Sequence, residues 1–332
     1  MIIHLPKNIS RTYVQEFADH VGALCLEKPD YFVLITNHTV KQLPAALEDM
    51  ALAHWTFNTD MQLSSREYHP DTHRIAIGDT YIGGDQKNQL MIAGPCAVES
   101  REQIEQSCQM LKQHGILVLR AGSYKPRTSP YTFRGLGEDG LKLLAEMREK
   151  YGLLIATEMR DATHADKVVR YADIVQIGAK AMYDHGLLTA AGQSGKPVIL
   201  KRGFGSTLQE LVNCADFIMS CGNDQVILCE RGIRSFETNT RFTLDLCGVA
   251  WLKQHCNLPV ILDPSHAMGY AYGIGDLARA CTAMGIDGLL IETHPCPQCA
   301  QSDAPQQLDH QQFSEMYTSL KPIAHAVGKT LV

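Results

Sequence analysis

An α/β architecture, a (β/α)8 TIM barrel preceded by a small ferredoxin-like α+β domain, is the fold this sequence predicts. Three observations predict it. From residue 89 onward, a short apolar run, a loop and a helix-like segment recur eight times. Residues 1–62 follow a different order, β-α-β-β-α-β. Polar residues also collect at the same place in successive repeats, just after the apolar run, which is the end of a barrel strand where active sites lie.

The eight runs are "LMIAGPC" from Leu90, "ILVLRAG" from Ile116, "LLIATEM" from Leu153 and "IVQIGAK" from Ile174, then "PVILKRG" from Pro197, "QVILCERG" from Gln225, "PVILDPSH" from Pro259 and "GLLIETH" from Gly288. Such short β-branched and leucine-rich runs, alternating with amphipathic segments such as "SREQIEQSCQMLKQHG", read as parallel strands buried on both faces. Eight units fit a barrel of about 250 residues. A doubly wound sheet is the structural alternative, but no G-x-G-x-x-G follows the first strand.

In the amino-terminal segment, "MIIHL" reads as a strand and "SRTYVQEFADHVG" as a helix. "LCLE" and "YFVLIT" read as strands, "TVKQLPAALEDMA" as a second helix with Pro44 in its first turn, and "HWTFN" as the last strand. That is the split β-α-β plan. Residues 63–88 form a polar, turn-rich linker and a hairpin, "RIAIGDTYIGG", turning at Gly78–Asp79 beneath the barrel. The barrel itself is expected over residues 89–332.

Composition excludes several classes. A formal net charge of −6 gives no hint of nucleic-acid binding. No eighteen-residue apolar stretch and no secretory signal are visible, so a cytoplasmic protein without a membrane partner is expected. Most of the eleven cysteines then read as reduced, small apolar residues.

The strand ends and the loops just after them carry Cys96, Arg120, Lys125, Glu158, Arg160, Lys180, Lys201, Arg202, Glu230, Arg231, Arg234, Asp263, His266, Glu292 and His294. A single lysine or arginine there is ordinarily a solvated rim residue. Recurrence in nearly every unit instead makes a cationic mouth that holds anionic ligands, with more than one phosphate or carboxylate. The loop "RAGSYKPRTSPYTFRG" adds Arg127, Thr128 and Ser129 between two stiffening prolines, which suits a phosphate ester held in one geometry. In the stretch "LLIETHPCPQCAQSDAP", Cys296 and Cys299 make a C-x-x-C pair without the second ligand pair a structural zinc site needs. The pair reads as incidental or as a redox-sensitive neighbour.

The motifs "IAGPCAVES", "RAGSYKPRTSPYTFRGLG", "ILKRG", "LCERGIRSFE", "ILDPSHA" and "IETHP…SDAPQQL" together resemble the 3-deoxy-D-arabino-heptulosonate 7-phosphate (DAHP) synthases. The nearest branch is the short type I beta form with an amino-terminal ferredoxin-like domain. The resemblance implies a transferase that condenses phosphoenolpyruvate with erythrose 4-phosphate, the entry to the shikimate pathway and aromatic amino acid biosynthesis. It implies one divalent metal, Mn, Fe, Co or Zn, held by Cys96, His266, Glu292 and Asp303, and no organic cofactor. It implies Arg120, Lys125, Lys180, Lys201 and Arg231 around phosphoenolpyruvate, and Arg127, Thr128 and Ser129 on the aldose phosphate. Lys125 would donate a proton to the new alkoxide, while Glu158 or Asp263 would orient water. A homo-oligomer, tetramer or dimer, and an aromatic amino acid effector acting on the small domain are also implied.

One segment departs from the pattern. An Arg-Asn-Met-Gln-Asn-like run is common in the family after the fourth strand, and here it reads "GAKAMYDHG". Lys180 keeps the charge but lacks arginine's fork. A related synthase acting on arabinose 5-phosphate or another aldose, or a specialised paralogue of secondary metabolism, is therefore the alternative. A lysine Schiff-base aldolase using Lys125 or Lys201, and a non-catalytic binding barrel, are further alternatives.

Overall fold

The structure, a computed structural model, describes residues 1–125 and 131–332. The chain opens with β1 (Ile2–Pro6), α1 (Arg11–Val21), β2 (Leu24–Glu27), β3 (Tyr31–Ile35) and β4 (Ala53–Trp55). These strands form an antiparallel sheet in the order β2-β3-β1-β4, the expected split β-α-β arrangement. Helix α1 ends at Gly22 in the left-handed conformation, with φ of 64°, as glycine permits. Its Val14 and Ala18 share a core with Ile3, Leu5, Phe32 and Leu34 of the sheet.

The second helix expected in this domain is not there. Only a single 3-10 turn, Ala45–Leu47, forms after Pro44. Pro44 has no N–H to donate and sits in an extended conformation with ψ of 131°, so the segment before it cannot wind into the turn. Leu47 alone is fully buried and replaces the apolar stripe of a full helix.

A hairpin follows, β5 (Ile75–Ile77) and β6 (Thr80–Ile82), with Ile77 opposite Thr80 across the expected turn. Its Ile75, Ile77 and Ile82 join Leu90, Ile92, Val118, Ala156, Ile174, Ile199, Ile227, Ile261 and Leu290 in one apolar cluster. The hairpin therefore seals the barrel interior from below.

The repeats then run β7 (Asn88–Gly94), α2 (Arg101–His114), β8 (Val118–Arg120), α3 (Glu138–Tyr151), β9 (Leu154–Met159), α4 (Ala165–Tyr171), β10 (Ile174–Ile177), α5 (His185–Gln193) and β11 (Val198–Lys201). They continue with α6 (Leu208–Ser220), β12 (Val226–Glu230), α7 (Leu246–His255), β13 (Val260–Leu262), α8 (Pro264–Met268), α9 (Ile274–Ala283), β14 (Gly288–Glu292), α10 (His310–Ala326) and β15 (Thr330–Leu331). Strands β7 to β14 are parallel neighbours in chain order, and β14 pairs with β7 to close the barrel. All eight apolar runs read from the sequence are these eight strands. Inward side chains fill the interior and outward ones such as Met91, Leu119 and Val175 pack on the helices, as expected for strands buried on both faces. Among the described residues no helix is long and apolar enough to cross a membrane.

The segment joining the two parts is anchored more firmly than a polar linker suggests. The Asp216 carboxylate on α6 accepts backbone N–H bonds from Gln62 (2.7 Å), Leu63 (3.1 Å) and Ser64 (2.8 Å). The buried Asn257 side chain donates to the carbonyls of Leu63 and Ser65. The linker's Tyr68 hydroxyl bonds to His4 of β1 at 2.8 Å, and its ring packs edge-on against Trp55 of β4.

Replacing Asp216 with alanine leaves three backbone donors without their acceptor, so a loss of roughly 2–4 kcal/mol is expected in denaturant unfolding. Burial pushes the Asp216 carboxyl up to about 6 against the opposing hydrogen bonds. A folded value above the unfolded one contributes stability that is full below the unfolded value and is lost as pH rises through about 6. Stability curves measured at several pH values should show that falling segment in the parent and not in Asp216→Asn.

Candidate active site

The site begins with the closing ladder. Register pairs Glu292 at the end of β14 with Gly94 at the end of β7. Gly94 has φ of 147°, and a Cβ there would lie 2.3 Å from the Arg120 carbonyl oxygen, so only glycine lets the chain turn at this point toward Cys96. The turn places the Cys96 thiol beside the carboxylates of Glu292, at the end of β14, and of Asp303, in the loop that follows. Ligand atoms of Cys96, Glu292 and Asp303 lie within 4.8 Å of one another, a group that could hold a metal ion. The Cys96 Sγ is 3.2 Å from Asp303 Oδ2.

His266 stands beside this group on α8, just after β13, and is not one of the three. Asp263 caps α8 by accepting the His266 N–H, and its Oδ2 lies 2.7 Å from His266 Nδ1. That contact turns Nε2 toward Glu292 Oε1, 3.6 Å away. A carboxylate behind a histidine in this way fixes the tautomer and the ring, as in known histidine metal ligands. Asp303 is the one non-glycine residue with positive φ among the described residues, at 50°.

Cations surround this group. Arg120 donates from Nη1 to Glu292 Oε1 at 2.7 Å and to the Pro95 carbonyl at 2.8 Å. Lys125 Nζ donates to Cys96 Sγ at 2.9 Å. Lys201 Nζ donates to Asp263 Oδ2 at 2.5 Å. Arg120, Lys125, Glu158, Lys180, Lys201, Arg231, His266 and Asp303 line one cavity of about 280 Å³. Among the described residues, Arg120 Nε and Arg231 Nε are buried there without a hydrogen-bond partner. Glu158 lies over Gly178, whose missing side chain leaves room for its carboxylate. Arg127, Thr128 and Ser129 lie outside the described residues.

The charges set each other's protonation. Burial pushes the Cys96 thiol up to about 12, with Glu292 adding to the shift and Lys125 opposing it. Burial also pushes Glu292 up, but the His266 and Arg120 charges outweigh it and hold the carboxyl below its usual value. For Asp303 the same contest, with His266 and Lys125 opposing burial, ends at about 2. Asp263 is held well below the carboxylate range, where His266 and Lys201 overcome burial. Burial lowers His266, against the Asp263 and Glu292 charges that raise it. A thiol and two carboxylates, with the His266 imidazole beside them, are donor types that suit a borderline divalent ion. A bound cation would favour the thiolate that burial alone disfavours.

A family model described as the DAHP synthetase I family matches residues 60–328. The chain belongs to the DAHP synthetase I family. A phospho-2-dehydro-3-deoxyheptonate aldolase of Thermotoga maritima is 45% identical over 80% of this chain and 78% of its own length. A crystal structure of that enzyme, titled DAHP synthase, has a TM-score of 0.81 at 38% identity and covers 100% of this chain and 99% of its own. A truncated form of the Thermotoga maritima synthase covers 82% of this chain and 100% of its own, with a TM-score of 0.77 and 41% identity. A 2-dehydro-3-deoxyphosphooctonate aldolase of Thiobacillus denitrificans is 32% identical over 70% of this chain and 89% of its own length.

Within this DAHP synthetase I site, some rim residues do not face the cavity. Arg202 donates to Glu230 at 3.0 Å and to Asp245 at 2.8 Å, an ion-pair group behind the wall. Arg160 pairs with Asp161 at the surface. His294 faces Glu99 at 3.4 Å and accepts the Cys296 N–H. Cys296 and Cys299 form a disulfide and take no part in the ligand cluster. The nine other cysteines are free, most of them buried.

Other contributors carry no advance signal in the sequence. Gln306 and Gln307 stand in the quoted "SDAPQQL", yet nothing there marks them as partners of the ligands. Gln307 Oε1 accepts the Cys96 N–H at 3.0 Å and its Nε2 donates to the Ser302 carbonyl at 2.9 Å. Phe204 and Phe242 stack at 5.3 Å and line the cavity with Arg241, beside Arg234, a rim residue expected from the sequence. Gly94→Ala must displace the Arg120 backbone, so purified Gly94→Ala protein is expected to unfold at least about 2 kcal/mol more easily than the parent.

Proposed function

We propose that this chain catalyses the condensation of phosphoenolpyruvate with erythrose 4-phosphate to DAHP and phosphate. The single observation that carries the reading is the juxtaposition at one mouth: the Cys96, Glu292 and Asp303 donors with His266 beside them, inside a wall of Arg120, Lys125, Lys180, Lys201 and Arg231. A cation-binding group and an anion-binding wall in one cavity suit an anionic enol donor and an aldehyde acceptor.

In this reading the carboxylate and phosphate of phosphoenolpyruvate pair with Arg120, Lys125, Lys180, Lys201 and Arg231. The two buried guanidinium Nε–H groups of Arg120 and Arg231 need acceptors of this kind. Arg127, Thr128 and Ser129 take the aldose phosphate. Cys96, His266, Glu292 and Asp303 hold one divalent ion, which when bound supplies Lewis-acid polarisation of the aldehyde oxygen.

C3 of phosphoenolpyruvate forms the new bond to the aldehyde carbon, and the carbonyl π electrons move to oxygen as an alkoxide. Lys125 gives that oxygen a proton. The positive charge left at C2 takes up water, which passes one proton to solvent; the C2–O bond to phosphate then breaks, phosphate leaves with the electron pair, and it takes the remaining hydroxyl proton as C2 becomes the ketone. Glu158 is the better placed of the two carboxylates to orient the water, because it lines the cavity. Both Asp263 oxygens are already engaged, by the His266 N–H and by Lys201 with the His266 ring. Asp263 instead holds Lys201 and His266 in place.

The octulosonate alternative is less favoured. Relatives named 2-dehydro-3-deoxyphosphooctonate aldolase are 30–36% identical, below the 45% of the heptonate relative, and the "KPRT" run suits the four-carbon aldose. A homo-oligomer and an aromatic effector bound by the small domain belong to the same proposal.

The deciding assay is phosphate release from phosphoenolpyruvate with a panel of phosphorylated aldoses, after reconstitution with Mn, Fe, Co or Zn. Turnover is expected with erythrose 4-phosphate, and absence of turnover with every metal would defeat the reading. In the same assay Cys96→Ser should lose metal binding and at least about 100-fold in rate. The double variant Cys296→Ser, Cys299→Ser should retain both. Tyrosine or phenylalanine should inhibit the full chain but not residues 63–332, and equal inhibition of both would remove the small domain from the regulatory role. The solved truncated Thermotoga maritima synthase makes that shorter chain a reasonable target.

A further inference from the structure

We infer that Arg241 is a positioning residue for the cation site, acting through Gln306 on Glu292 and directly on Asp303. The inference rests on the reading that Cys96, His266, Glu292 and Asp303 hold a divalent ion.

Gln306 is buried between two groups of fixed polarity. Its Nε2 donates to Glu292 Oε2, and its Oε1 accepts from Arg241 Nη1 at 2.6 Å. A carboxylate only accepts and a guanidinium only donates, so the amide has one workable orientation. Glu292 Oε2 is thereby engaged by Gln306. Oε1 remains, facing Arg120 at 2.7 Å and His266 Nε2 at 3.6 Å. Asp303 is divided in the same way: Oδ1 stands 4.0 Å from Arg241 while Oδ2 faces Cys96 Sγ at 3.2 Å. Each carboxylate has one oxygen on the Arg241 arm, while the other faces His266 in Glu292 and Cys96 in Asp303.

The arm is itself held on the His266 segment. Arg241 N donates to the Met268 carbonyl at 3.1 Å, and Phe242 N donates to the Ala267 carbonyl at 2.8 Å. Ile233 and Thr243 bridge the base of the loop. The approach needs glycine at 269, where φ is 77° and a Cβ would lie 2.5 Å from Arg241 Cβ. Two adjacent residues of the loop after β12 therefore touch the segments carrying His266, Glu292 and Asp303.

Two effects of the guanidinium oppose each other. Its charge repels a nearby cation, while its hydrogen bonds hold the carboxylates in a ligating pose. Partial neutralisation by Asp303 and exposure to solvent at the rim weaken the first effect. Orientation is expected to dominate, as for other partners behind metal ligands, where removal costs about 10–100-fold in metal affinity.

The test titrates metal-free full-length protein with Co²⁺. Calorimetry gives the affinity and the thiolate-to-cobalt absorption band reports Cys96. R241Q and Q306M should each bind Co²⁺ about 10–100-fold more weakly than the parent, with R241K in between. The double variant should bind no more weakly than the weaker single, because the two residues act in series. At saturating metal, the kcat of Q306M, whose residue does not line the cavity, should recover toward the parent value. Thermal unfolding of each metal-free variant checks the fold, and the half-exposed Arg241 keeps R241Q informative if Q306M fails to fold. Parent-like or tighter Co²⁺ binding by R241Q would overturn the inference, as would additive losses in the double variant. A parent that binds no Co²⁺ defeats the metal reading itself, which separates the two failures.

Discussion

The closing ladder between β7 and β14 is the constraint on which the site depends. It joins residues almost 200 positions apart, putting Gly94 opposite Glu292 and so Cys96 within reach of the loop that carries Asp303. The neighbouring pairing of β7 with β8 brings Arg120 across to the same carboxylate. A shift of one residue in either ladder would turn these side chains to the other face of the barrel wall. The apolar interior, plugged below by the β5–β6 hairpin, resists such a shift because every inward residue would change place with an outward one.

Charge balance is the second organising principle. The mouth and the wall behind it collect cations, and several of these are already paired inside the protein. Arg120 is matched by Glu292, Lys201 by Asp263, and Arg202 by Glu230 and Asp245. Buried pairs of this kind are weak evidence for stability, yet removal of one partner strands the other. The paired state keeps the ammonium and guanidinium groups ordered before an anion arrives, which lowers the ordering cost of binding.

Much of this architecture was legible in the sequence. The eight apolar runs became the eight barrel strands because strands buried on both faces must be apolar throughout, a local property. The four proposed ligands stand at strand ends or just beyond, and a repeat that is recognised places them at one end. The second helix of the small domain failed because a local apolar count cannot weigh the conformation Pro44 imposes against burial of one leucine. The sorting of the rim was not legible either. Arg202 and Arg231 are two strand-end cations of the same chemical type, yet one faces Glu230 behind the wall and the other lines the cavity. That distinction is made by side-chain direction and by partners distant in sequence. Gln306 and Arg241 were silent for the same reason: a neutral amide and a loop arginine gain meaning only from what they touch.

Asp303 shows how such a site limits the protein that carries it. Its backbone is left-handed, a conformation that costs a residue with a Cβ about 1–2 kcal/mol and costs glycine almost nothing. Judged by folding alone, position 303 is better filled by glycine, so selection for stability and selection for a carboxylate beside Cys96 pull in opposite directions there. Randomised libraries screened only for thermal resistance would drift toward the smaller residue at this position and would enrich robust barrels lacking that carboxylate.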